Sequence, residues 1–267
     1  MMKKILQAIF SITNYNNHKV IAVLGIKIKL KIKKPIEISA YKIQGENNKI
    51  IIVEENGDEI EFDNKMEIEG IKIRIIGNNC LVKLNKPFNL FDEVFIEIES
   101  NNATCEIGKN CHIEKIHFRL KFGENQKCII GNNCFFCGGS AIVLDENSSL
   151  FIGENCLFAG GLNIWGSDGH SILDKDTYEI LNIPQNPIKI GSHCWFGMGC
   201  TILKDSIIGD DTIIAWGSII RNKFVENNVI LAGRPAKIVR KNITWNDKSP
   251  YYLLKELEKG DSCIKYH

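Results

Sequence analysis

Between Ile190 and Ile220 an apolar residue returns at every sixth position: Ile190, Phe196, Ile202, Ile208, Ile214 and Ile220, with Gly191, Gly197 and Gly209 directly after three of them. A helix repeats its buried face about every 3.6 residues and a half-buried strand every 2, so neither produces a strict six. The period is that of a solenoid. Each hexad supplies one short strand and its corner, and three hexads close a triangular coil of about 18 residues, the small residue after the inward aliphatic easing the turn. The expected fold is therefore all-β, a parallel β-helix.

Triplets with the same spacing stand at Ile152, Phe158, Ile164 and at Ile130, Phe136, Ile142, with weaker ones starting at Ile107 and Ile76. The gaps between coils vary, from 18 residues between Ile190 and Ile208 to 22 and 23 in the earlier coils, which predicts bulges at one corner there. Between Ile164 and Ile190 lie 26 positions, about 20 more than the period requires. That excursion, 167–186, is where chemistry is expected, because a long loop on a compact scaffold is usually functional.

Upstream, Ile5, Leu6, Ile9 and Phe10 have helical spacing and predict a short amphipathic helix over Lys3 to Ile12. Membrane contact through it is conceivable, but packing on the domain or on a neighbouring subunit is favoured, since the segment is short and weakly basic. Val20 to Ile32 alternates apolar residues with lysine, and Lys49 to Val53 and Glu59 to Phe62 flank the turn Asn56-Gly57-Asp58. The expected organisation is an N-terminal helix and strand element over 1–47, the parallel β-helix over 48–241, and a C-terminal cap over 242–267 with a short helix in Tyr251 to Glu258.

Composition changes this picture little. A net charge of +1 over 267 residues argues against a nucleic-acid surface, and the lysines of Lys27 to Lys34 read as one solvated strand face. Ten cysteines without a secretory signal ahead of them point to the cytoplasm. Five of them, Cys80, Cys111, Cys134, Cys156 and Cys194, each sit four residues after a leading Ile, and they are expected to stack inward as small residues. No paired spacing of a zinc site is present, and no metal is expected.

Inside the excursion, Trp165-Gly166-Ser167-Asp168-Gly169-His170 places an acid and an imidazole close in sequence on a glycine-loosened segment. A histidine there can accept a proton near neutral pH; its plain alternative is a loop histidine at the surface. The loop motif Ser167-Asp168-x-His170, followed by Ile190-Gly191-x-His193-Cys194-Trp195-Phe196-Gly197, Ile202-Leu203-Lys204 and Ala232-Gly233-Arg234-Pro235-Ala236-Lys237, resembles the hexapeptide-repeat, acetyl-CoA-dependent sugar O-acetyltransferases over about residues 100 to 245. Its most similar branch is the capsule and lipopolysaccharide enzymes, including the polysialic acid O-acetyltransferases.

The resemblance implies a left-handed helix, a homotrimer with active sites between subunits, a carbohydrate acceptor and acetyl-CoA as cosubstrate. It also implies roles. His170, with Asp168 beside it in the motif, becomes the general base toward the acceptor hydroxyl, and Trp195 lies by the acetyl group, although as a bare residue Trp195 reads equally as a packing side chain. Coenzyme A contacts map to Gly197, Met198, Ala215, Trp216, Arg221 and Asn222, with Lys237 and Arg240 near the adenosine phosphates or, alternatively, packing. Two departures stand out: Ala215-Trp216-Gly217-Ser218 where the family commonly has Gly-Ala-Gly-Ser, and Arg221-Asn222 where it has Thr-Lys.

Three competing readings differ in what they require. A metal hydratase of the γ-carbonic-anhydrase kind uses this helix with three histidines; His112 and His117 have a suggestive spacing, but no third stands two coils earlier. A sugar-nucleotide N-acetyltransferase often carries a glycine-rich βα turn in an N-terminal domain, whereas Gly25 stands alone among strands. A scaffold without activity would not need the long loop holding Asp168 and His170.

Overall fold

The computed structural model describes residues 10–15, 18–23, 26–31, 40–63, 68–145 and 148–258. It divides into two units, 1–39 and 40–267. In the first, strands Phe10–Tyr15, His18–Val23 and Ile26–Lys31 form an antiparallel meander, with Tyr15 opposite His18 and Val23 opposite Ile26. The expected amphipathic helix over Lys3 to Ile12, and with it the membrane contact, lies outside the described residues up to position 9. Its last three residues are corrected to strand, where they pair with Ile21 to Val23. The β-branched Ile12 and Thr13 and the aromatic Phe10 and Tyr15 suit a strand better than a helix.

The second unit is a parallel β-helix with three faces. One face stacks Leu90–Asp92, the start of His112–Glu124, the start of Phe135–Leu144, Leu157–Phe158, Trp195–Phe196, Ile213–Ile214 and Val229–Gly233. A second stacks Tyr41–Gln44, Ile71–Ile76, Val94–Asn101, the later parts of the two long strands, Leu162–Trp165, Thr201–Leu203 and Ile219–Ile220. The third runs from Lys49–Val53 through Leu81–Asn85, Thr104–Ile107, Lys127–Ile130, Leu150–Ile152, Ile188–Ile190 and Ile207–Ile208 to Lys223–Phe224. The ladder thus takes in Tyr41–Gln44, ahead of the expected start at residue 48.

All six residues of the Ile190 to Ile220 series are buried, and Phe136, Phe158 and Phe196 stack ring on ring at 4.4 and 4.7 Å. Each such side chain contributes about 2–3 kcal/mol by leaving water. In the earlier coils the inward place shifts. Ile164 is in register with Ala141, not Ile142, because the coil passes from Phe136 to Ala141 in five positions where Phe158 to Ile164 takes six. Gly138 and Gly139, both at positive φ, turn that corner. Likewise Leu84, not Ile76, stands in register with Ile107.

The five cysteines stack inward at another corner. Each thiol donates to a carbonyl of the next coil, Cys111 to Gly131, Cys134 to Gly153, Cys156 to Gly191 and Cys194 to Gly209, all at 3.2 Å, and Cys80 to Ser100 at 3.1 Å. Beside them, Asn110, Asn133 and Asn155 hold left-handed backbone and pass side-chain amide hydrogen bonds coil to coil. Asparagine tolerates that conformation and supplies both donor and acceptor.

At the C-terminal end Val229–Gly233 turns back on Ala236–Lys241 as an antiparallel pair, and a helix spans Pro250–Glu258. Pro250 suits the first helical position, where an N–H would have no partner in the helix. Among the described residues no helix is long and apolar enough to cross a membrane.

Candidate active site

The excursion leaves the second face after Trp165 and rejoins the third at Ile188. Its middle is a small arm closed by a bridge between Leu173 and Ile180, with Leu181 donating to the Ile172 carbonyl at 2.8 Å. Ile172, Leu173, Tyr178, Ile180, Leu181 and Ile183 are all exposed on it. Together they make an exposed apolar surface on the arm.

His170 sits at the root of this arm, in a cleft of about 390 Å³ lined by Asp145, Ser167, Gly169, His170, Ile180, Asn182 and Pro184. Gly169, at φ 74°, makes the turn that presents it. Its imidazole has no hydrogen-bond partner among the described residues. Asp168 does not serve it. The Asp168 carboxylate instead accepts from the Lys204 ammonium at 2.5 Å and from the Asn182 side-chain amide at 2.8 Å. The hydrogen bond from Lys204, and then that from Asn182, hold its pKa below the usual aspartate range. Sequence proximity suggested an Asp–His partnership; the carboxylate faces away because a cation one coil further on competes for it.

Trp195 lies elsewhere, half exposed on the first face between Leu157 and Ile213, with which it is in register. It lines an apolar cavity of about 740 Å³ shared with Trp245, Leu253 and Leu257 of the C-terminal cap. Trp245 donates its indole N–H to the His193 carbonyl at 2.7 Å, and its ring stacks on the His193 imidazole. Sequence reading placed Trp245 in the C-terminal cap and gave it no part beside Trp195; only the fold brings the two indoles together.

The residues matched to coenzyme A fall in three places. Gly197 and Met198 stack under Ala215 and Trp216 at the corner between the first and second faces, where Gly217 donates to the Met198 carbonyl at 2.8 Å. Met198 is 47% and Trp216 74% exposed, an open apolar shelf, and a Cβ at Gly199 would meet nothing within 4 Å. Lys237 and Arg240 are exposed on the strand that closes the first face, Lys237 opposite Ala232 and Arg240 opposite Ile230. Arg221 and Asn222 are not gathered with them. They follow Ile220 on the second face, at the corner from which the His170 excursion leaves.

His112 and His117 also separate. His112 contacts Glu114 at 2.6 Å and stacks on Phe135, on the first face, while His117 stacks on Phe95, on the second. Among the described residues no three His, Cys, Asp or Glu side chains converge as metal ligands would.

Hexad coils stacked in three parallel faces are the architecture of hexapeptide-repeat proteins. The family model described as bacterial transferase hexapeptide (six repeats) matches residues 187–222. The galactoside O-acetyltransferase of Escherichia coli is 31% identical over 157 residues, 58% of this chain and 71% of that protein. A polysialic acid O-acetyltransferase of Neisseria meningitidis is 28% identical over 227 residues, 78% of this chain and 90% of its own. The solved polysialic acid O-acetyltransferase OatWY superposes with a TM-score of 0.51 at 25% identity, covering 82% of this chain and 98% of that one. The chain belongs to the hexapeptide-repeat O-acetyltransferases, whose fold is the left-handed β-helix.

Proposed function

We propose that the chain transfers the acetyl group of acetyl-CoA to a hydroxyl of a sugar, a sialic acid or another residue of a capsule or lipooligosaccharide, in the cytoplasm. The observation that carries this reading is His170: an imidazole without a hydrogen-bond partner among the described residues, in a cleft at the root of the long excursion. Its free nitrogen takes the proton of the acceptor hydroxyl as that oxygen attacks the thioester carbonyl, and the CoA thiolate leaves as the new ester forms. No acyl-enzyme is needed, since the acceptor oxygen is itself the nucleophile. Trp195 walls the acetyl group, and the coenzyme runs over Gly197, Met198, Ala215 and Trp216 toward Lys237 and Arg240.

The positions of these groups favour a trimer. His170 leaves one corner of the prism, whereas Trp195 and the Met198–Trp216 shelf occupy a different face and corner. On this reading base and shelf meet between chains. A threefold arrangement sets the His170 corner of one chain against the shelf of the next and covers the apolar arm. Arg221 and Asn222, at the His170 corner, then approach the coenzyme from the adjacent chain.

Release of free CoA from acetyl-CoA, measured against a panel of sialosides, hexoses, capsule oligosaccharides and amino sugars, tests the reading. Ester formation on an acidic or neutral sugar hydroxyl is expected. Turnover only with amino sugars would replace it by N-acetyl transfer, and no turnover with any of the panel would overturn it.

A further inference from the structure

The excursion that carries His170 has about 20 residues, and a chain of that length does not hold an imidazole in one place unless it is tied down. The ties are visible and they converge on two residues that the family motif does not assign to catalysis. Asn182, on the returning limb, uses its whole side chain across the loop. Its amide nitrogen donates to the Asp168 carboxylate and to the backbone carbonyl of His170 itself, both at 2.8 Å, while its oxygen accepts from the Ile172 N–H at 2.8 Å. Lys204 comes from the following coil. Its ammonium donates to Asp168 at 2.5 Å and to the Asn182 carbonyl at 2.6 Å. From the preceding coil, the Ser167 hydroxyl donates to Asp145, and the Gly169 N–H donates to Ser167 at 3.1 Å.

Position 170 is thus held through its own carbonyl and through its neighbours at 167, 168, 169 and 172, and its ring alone is left for a substrate. Asp168 belongs to this frame, as the carboxylate that Lys204 and Asn182 share.

We infer that Lys204 and Asn182 are positioning residues for His170, bracing the loop between the coil that bears it and the next, with Asp168 as their shared acceptor. This rests on the reading of His170 as the general base. A half-buried amide whose nitrogen and oxygen are both engaged, backed by an ammonium with two acceptors, ties the loop at several points, and misplacing a base by about 1 Å costs on the order of 100-fold in rate. Neither residue touches the proposed coenzyme shelf, so their effect falls on turnover rather than on coenzyme binding.

The test uses the full chain with acetyl-CoA and α-linked sialic acid oligomers as the acceptor probe. Lys204→Met and Asn182→Asp are each expected to lower kcat by about 10- to 100-fold with the KM for acetyl-CoA within about twofold of the parent. Lys204→Arg, which keeps charge and donors, is expected to retain most of the activity. The deciding measurement repeats the substitutions in a His170→Ala background, where they should cost nothing further because the group they position is gone. Equal losses in both backgrounds, or losses expressed in the KM for acetyl-CoA, overturn the inference. Should Lys204→Met fail to fold, Asn182→Asp, nearly isosteric and keeping the Ile172 contact, decides alone. His170→Ala with unchanged turnover would instead overturn the general-base reading, so the two failures are told apart.

Discussion

The indole of Trp245 lies flat on the imidazole of His193, ring centroids 4.6 Å apart and 10° from parallel, while Nδ1 of that imidazole is 2.7 Å from the Asp211 carboxylate. A tail residue is in this way fastened to a corner of the solenoid, and the same indole stands 6.0 Å from Trp195. The cap therefore shapes the environment of the tryptophan proposed to wall the acetyl group. Trp245→Ala should destabilise the chain by about 2 kcal/mol, from lost stacking, one hydrogen bond and apolar burial. Denaturant unfolding gives the loss, and the fluorescence of Trp195 should shift to the red as water enters the 740 Å³ cavity. An unaltered midpoint and spectrum would show that the cap is not anchored there.

Removal of the proposed base gives the most direct kinetic reading. His170→Ala should reduce turnover by about 100- to 10,000-fold while the affinity for CoA stays nearly constant, because the imidazole enters only the transition state. Isothermal titration with CoA, alongside initial rates, separates the two quantities.

Charge reversal at Lys237 or Arg240 should do the converse. Each is expected to raise the KM for acetyl-CoA more than it changes kcat at saturation. Since the proposed base and this pair follow different faces of one chain, a mixture of His170→Ala and charge-reversed Lys237 proteins, unfolded and refolded together, should recover part of the activity that neither shows alone. Sedimentation of an active monomer, or confirmed mixed trimers without recovery, would place the whole site on a single chain.

A separate prediction concerns acid stability. Glu97, only 4% exposed, is met by Arg74 at 2.5 Å, by Lys121 and Arg119 at 3.1 Å and by His117 at 3.2 Å. Burial pushes its pKa up, but the hydrogen bond and charge of Lys121, with the hydrogen bonds of Arg119 and Arg74, prevail and bring it down to about 2. A carboxylate depressed in the folded state stabilises above its unfolded pKa, and that contribution is lost as pH falls from about 4.5 toward 2. Its size is about 3 kcal/mol. Glu97→Gln should lose most of it near neutral pH and flatten the decline in thermal midpoint between pH 5 and pH 2, on the order of the range where the wild-type group titrates. A variant whose acid unfolding curve overlays the parent's would show that the cluster contributes nothing.

By itself the sequence determined the solenoid, the place of its long excursion and the inward stack of cysteines, because an inward aliphatic and the corner after it lie within one six-residue unit. Hydrophobic periodicity is local information, and from Ile190 to Ile220 the coils contain nothing else. Only the tertiary structure decided what depends on register between coils. Ala141 rather than Ile142 faces Ile164 because one corner is a residue shorter, a difference the average spacing conceals. Asp168 pairs with Lys204, 36 positions along the chain, and with Asn182, 14 along, and not with the histidine two residues away. In a solenoid the neighbours of a side chain are one coil distant, and an excursion of irregular length shifts that distance without leaving any period to read. The separation of His170 from Trp195 has the same origin: both follow motifs in one stretch of chain, but the corner between them turns each toward a different side of the prism.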